Sequence, residues 1–205
     1  MGFSFNELEG VDPSTGERVY IGTGDYNVMI SSSEIQTSKN NRGTNLHLKY
    51  TVLDGPFQGT EVQEWLAIVN SSEKAQEIAR AKLKALQIVA AVRDNGTTDD
   101  LVGKAIRLRI FKEASFFNDS NAGEKKASYQ AVIKNYMSMS GKDAKGNEPR
   151  EMSEEYIASI DKKAEDAVSA VYKNNGSHGG DSSDAFSNRN ESQKSKQDYD
   201  DEIPF

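Results

Sequence analysis

From Asp25 the apolar positions alternate. Tyr26, Val28 and Ile30 fall on one side of an extended chain, and Asn27, Met29 and Ser31 on the other. The turn cluster Lys39–Asn45 interrupts the pattern. A cleaner alternation follows, with Leu46, Leu48, Tyr50 and Val52 set against His47, Lys49 and Thr51. After turn signals at Asp54-Gly55-Pro56 and Gln58-Gly59, Glu61–Val69 reads as a third strand. The period then changes from two to the helical value. Ala75, Ile78, Ala79, Leu83, Leu86, Val89 and Ala90 recur at steps of three and four, which predicts an amphipathic helix to about Val92. Asn70-Ser71-Ser72 supplies its cap, Glu73 suits its first turn, and Asn95-Gly96 supplies its stop.

Strand periodicity returns in Lys104–Glu113, where Ile106, Leu108 and Ile110 alternate with Arg107, Arg109 and Phe111, and again in Ala127–Met139. A second helix is predicted from a Ser153 cap, with Ile157, Ile160, Ala164, Ala167, Val168 and Val171 on one face. From Asn174 the chain is mostly Asn, Gly, Ser, Asp, Lys and Gln. It has too little apolar surface to offset its ordering entropy, so disorder is expected.

Three strands, a helix and two more strands is the element order of an OB-fold, a small five-stranded barrel with a helix between strands three and four. The expected class is mainly β (α+β). The expected organisation is a barrel domain over residues 1–140, a linker and appended helix over 141–173, and an acidic tail over 174–205.

Charge alters this picture only locally. The formal net charge is −7. Residues 174–205 carry seven acidic and three basic residues, so the tail holds four of those seven charges. What a polyanion meets is the local field of a groove, not the total. The chain has no Cys, so disulfides and thiolate chemistry are excluded. The absence of Cys, of an apolar leader and of a membrane-length apolar run leads to an expectation of a soluble cytoplasmic protein without membrane contact.

The catalytic inventory is poor. His47 and His178 are the only histidines, and the second lies in the Gly-Ser-rich tail. No phosphate-loop motif is present. The expectation is a protein that is not an enzyme and needs no cofactor or metal. The binding inventory is richer. Strand periodicity sends Arg107, Arg109 and Phe111 outward together, and His47, Lys49 and Thr51 outward on the second strand. If Tyr129, Ala131 and Ile133 point inward on the last strand, Lys134 and Tyr136 join that outer face. Trp65 shares its phase with Gln63 and Ala67, hence outward, although a Trp in an apolar strand is more often core. Cations that track a backbone and rings that stack on unpaired bases are what single-stranded nucleic acid requires. The rival for each residue is a solvated strand face.

Two resemblances bear on this. The stretch from Asp25 through "KAQEIARAKLKAL" to "DLVGKAIRLRI", with Lys39 and Gly43 in a Lys-x-x-x-Gly turn and a Trp-containing third strand, resembles a bacteriophage family found beside recombination and replication genes. It covers residues 20–112. Members of that family look like OB-fold single-stranded DNA-binding proteins. The final "DYDDEIPF" is similar to the acidic tip of bacterial single-stranded DNA-binding proteins. Asp200, Asp201, Ile203, Pro204 and Phe205 match that tip, and Glu202 is inserted before Ile203. The resemblance implies recruitment of replication, recombination and repair enzymes. Asp198, Asp200, Asp201 and Glu202 would steer the tip to a basic rim, and Ile203, Pro204 and Phe205 would anchor it.

The expected function is therefore sequence-independent coating and protection of single-stranded DNA in phage replication or recombination, in a bacterial host cytoplasm. The alternative is a structural or adaptor protein whose barrel binds protein. Oligomeric state is not legible.

Overall fold

A computed structural model describes residues 20–37, 43–118 and 125–175. The expected acidic tip, Asp198–Phe205, lies outside the described residues, as does most of the segment expected to be disordered. The elements are β1 (Gly24–Thr37), β2 (Thr44–Val52), β3 (Glu61–Val69), α1 (Glu73–Val89), β4 (Ala105–Asn118), β5 (Lys125–Met137) and α2 (Glu154–Asn175). A 3-10 turn, Thr98–Leu101, leads into β4.

All strand pairs are antiparallel, in the order β3-β2-β1-β4-β5. β1 is central and carries a bulge where Ile30 pairs with Tyr50 and Ser32 with Lys49, leaving Ser31 extra. The sheet curls until its two outer strands meet. There the Tyr136 hydroxyl on β5 donates to the Glu64 carboxylate on β3, at 2.7 and 2.8 Å. Strand order, closure and the helix between β3 and β4 make this an OB-fold-like barrel.

The periodicity explains the core. Val28 and Ile30, Leu46, Leu48, Tyr50 and Val52, and Ile106, Leu108 and Ile110 are all buried, together with Leu86 of α1. Each such Leu or Ile contributes about 1.5–3 kcal/mol. Gly43 enters β2 so close to the Val69 carbonyl that a Cβ there would collide with it, which accounts for a glycine at that position.

α1 begins as expected, with Ser72 Oγ accepting from the Ala75 N–H at 3.3 Å. It ends earlier than Asn95-Gly96. Ala91 takes a φ of 53°, the Val92 N–H bonds the Gln87 carbonyl at 3.0 Å, and the Ala91 N–H bonds that of Ile88 at 3.1 Å. That is a Schellman stop built on an alanine.

α2 packs along β4 and β5. Ser153 caps it by accepting from the Tyr156 N–H at 3.2 Å. Ala164 and Val168 are buried, as is Ala127 of β5. Asp161 accepts from the Thr23 N–H at 3.1 Å, Glu165 pairs with Lys112 at 2.8 Å, and the Tyr172 hydroxyl donates to the Ala127 carbonyl at 2.7 Å. The apolar face anticipated from the sequence is the one that docks.

β1 pairs with β4 only between Gly24–Met29 and Ala105–Ile110. Beyond Ile110, β4 and β5 continue as a two-stranded arm that ends at Asn118 and Lys125. α2 lies against this arm.

Candidate nucleic-acid interface

The outer face of the barrel follows from strand register. On β2 and β3, His47 lies opposite Trp65 and Lys49 opposite Gln63. On β1 and β4, Asn27 lies opposite Arg107 and Asp25 opposite Arg109. The outward phase expected for His47, Lys49, Trp65, Arg107, Arg109 and Phe111 agrees with this register.

Trp65 is 52% exposed, and its ring lies flat on the His47 imidazole, with centroids 3.8 Å apart and planes 7° from parallel. One indole face is thus supported and the other is available for stacking. The cover explains why His47, expected to be an exposed strand residue, is only 6% exposed. Its Nε2 donates to Gln63 Oε1 at 3.1 Å, while Nδ1 is buried without a hydrogen-bond partner among the described residues. His47 thus lies beneath the Trp65 ring, largely shielded by it from solvent.

The cations are less free than the sequence implies. Arg109 makes a two-pronged pair with Asp25, both contacts at 2.8 Å, and also donates to the Arg150 carbonyl at 2.9 Å. The Asp25 hydrogen bonds raise its guanidinium further above its ordinary pKa. Lys134 pairs with Glu113 at 2.6 Å and sits 5.6 Å from the Phe111 ring centroid. Lys49 lies 3.7 Å from Glu61. Arg107 differs, because its Nε donates to neutral Asn27 Oδ1 at 3.0 Å. Asp25, Glu61 and Glu113 come from strands whose alignment local periodicity does not reveal.

Tyr136 requires correction. It was expected outward as a stacking platform, and it is buried. The cause is a bulge in β5. Arg109 pairs with Asn135 and Ile110 with Ile133, so Lys134 is extra. One added residue reverses the strand's phase. Ile133 points inward before the bulge and Tyr136 inward after it. Burial and the Glu64 carboxylate both push the Tyr136 phenol well above its ordinary pKa.

Some contributors escaped the sequence reading. Tyr156, at the start of α2, meets Phe111 edge to face at a centroid distance of 6.3 Å and is itself half exposed. With Arg109, Arg150, Glu151, Met152 and Ser153 it lines a depression at that end of the face. Its helical position gave no sign that it would reach the sheet.

No curated protein matches the sequence. A solved structure of yeast RPA bound to ssDNA aligns over 82% of this chain and 97% of its own, at 9% identity and a TM-score of 0.30. The fold assignment rests on strand order and closure, not on that likeness. A family model matches residues 13–149, a span that contains the whole barrel and the stretch on which the phage-family resemblance rests. The chain therefore belongs to the family described as "Protein of unknown function (DUF669)".

Proposed function

We propose that this protein binds single-stranded DNA across the outer face of its barrel. In this reading it coats and protects single strands without sequence preference during phage DNA replication or recombination, and it recruits partner enzymes through Asp198–Phe205. The observation that carries the reading is Trp65. A half-exposed indole, held flat by His47 on the β2–β3 face of an OB-type barrel and flanked by Lys49, is a preformed platform for an unpaired base. A duplex keeps its bases stacked inside and offers no such partner. Stacking accepts any base, hence the lack of sequence preference.

The ion pairs temper the electrostatics. Lys49, Arg109 and Lys134 each have a carboxylate partner already. A phosphate must compete with that partner, so stacking bears much of the load.

Titration of labelled oligo(dT) and of a duplex of equal length tests the proposal. Single strands should bind well above duplex and quench Trp65 fluorescence, and Trp65→Ala should weaken binding by roughly tenfold. Equal affinity for both forms, or a Trp65→Ala protein that binds normally, overturns it. For the tip, Phe205→Ala should abolish capture of replication or recombination enzymes while DNA affinity stays the same. Normal capture by that variant removes the recruitment half of the reading.

A further inference from the structure

The β4–β5 arm ends in two adjacent aromatics that the core does not use. Phe116 is 60% exposed and Phe117 is 49% exposed. Neighbours on a strand point to opposite faces, so these two rings look in opposite directions. β4 is continuous in register from Arg107 to Asn118, because the extra residue at the bulge belongs to β5. Phe117 therefore shares its face with Arg107, Arg109 and Phe111. Phe116 shares the other face, with Lys112 and Ala114.

We infer that Phe117 is a second stacking platform for the same unpaired strand that Trp65 engages. This rests on the single-stranded DNA reading above and extends it to a place that reading does not reach. Two observations select nucleic acid as the occupant. The outer face is continuous by register from Trp65 across β2 and β1 to β4. At the arm's end, Phe117 stands opposite Lys126, which places a cationic side chain on the same face, beside the ring, where a phosphate backbone would pass. At about 3.3 Å per residue, Phe117 lies about 26 Å beyond Arg109 along β4. Trp65 sits on β3 of the barrel and Phe117 near the outer end of the arm, so a short oligonucleotide can occupy only one.

The test compares oligo(dT) of about 4 and about 16 nucleotides, the limits of site size for one such fold. It uses the full chain and the variants Phe117→Ala, Phe116→Ala and Trp65→Ala. Phe117→Ala should weaken the long oligonucleotide by roughly tenfold and leave the short one within about twofold, while Trp65→Ala weakens both. Phe116→Ala, with a ring of similar exposure on the wrong face, should change neither by more than about twofold. Thermal melts check that each variant is folded.

A Phe117→Ala protein that binds the long strand normally overturns the inference. Equal losses from Phe116→Ala and Phe117→Ala also overturn it, since they signal a damaged arm. So does a fall in DNA-free sedimentation mass on Phe117→Ala, which would mean that a second copy covers the ring. If Trp65→Ala weakens binding and Phe117→Ala does not, this inference fails alone. If the unmodified protein binds neither oligonucleotide, both readings fall.

Discussion

The Tyr136 phenol donates to both oxygens of the Glu64 carboxylate, joining the last strand of the barrel to the third. Glu64 also accepts from Tyr50 at 3.2 Å and pairs with Lys82 of α1 at 2.9 Å. One largely buried carboxylate thus ties β2, β3, β5 and α1 together where no strand pairing joins β3 to β5 among the described residues. Tyr136→Phe removes one donor without changing shape. It should lower stability by about 1–3 kcal/mol, read from urea unfolding, and leave oligo(dT) affinity of the folded protein intact. Weakened DNA binding with unchanged stability would return Tyr136 to the surface.

Three tyrosines make the fold sensitive to alkali. Burial, and then Asp161 and Asp25, push the Tyr26 phenol from 10.0 up to about 12. Tyr50 and Tyr136 are raised further, chiefly by burial and then by Glu64. The folded chain keeps these protons after the unfolded chain has released its own. Their stabilising effect is therefore complete below pH 10.0 and declines above it; the Tyr26 share is lost as pH rises through about 12, and the decline from the other two continues beyond. Urea midpoints should fall across that window, and Tyr26→Phe should flatten the fall. A midpoint constant through the window contradicts the burial of these rings.

Arg107 and Arg109 should part company on substitution. Arg109 bonds Asp25 and the Arg150 carbonyl, so Arg109→Ala should cost about 2 kcal/mol of stability. Arg107 has no carboxylate partner among the described residues, so Arg107→Ala should leave the melt within about 0.5 kcal/mol and weaken oligo(dT) binding severalfold. The reverse pattern would place Arg107 in the framework and Arg109 at the DNA.

Ala91 holds a left-handed conformation that costs an alanine about 1 kcal/mol. Ala91→Gly should recover about that amount in urea unfolding, since the Schellman bonds already fit a glycine. Destabilisation instead would mean that the methyl group packs better than its strain costs.

These residues also mark what the sequence could convey. The inward sets on β2 and on the barrel half of β4, Ile106 to Ile110, were legible because each segment alternates without interruption and its inward apolar residues are buried. The docking face of α2 was legible for the analogous reason at helical period. Tyr136 was not, because nothing near Lys134 announces an extra residue. The pairing of Arg109 with Asp25 was not, because it joins residues 84 positions apart through a register that only the assembled sheet defines. Trp65 was ambiguous, because its phase and its composition point to opposite faces. The His47 ring beneath it resolves how so large a side chain remains outward.

The bulge at Lys134 insulates the arm from the barrel. On its barrel side, Tyr136 is committed to the core. On its arm side, the two strands run out to Asn118 and Lys125 with their own alternation, and α2 packs against them. Adding or removing one residue on each strand at the tip would lengthen or shorten the arm without disturbing the pairing that closes the barrel. A tip aromatic would keep its outward face as long as its position along β4 moved in steps of two. The reach of the arm can therefore vary without renegotiating the pairing that closes the barrel.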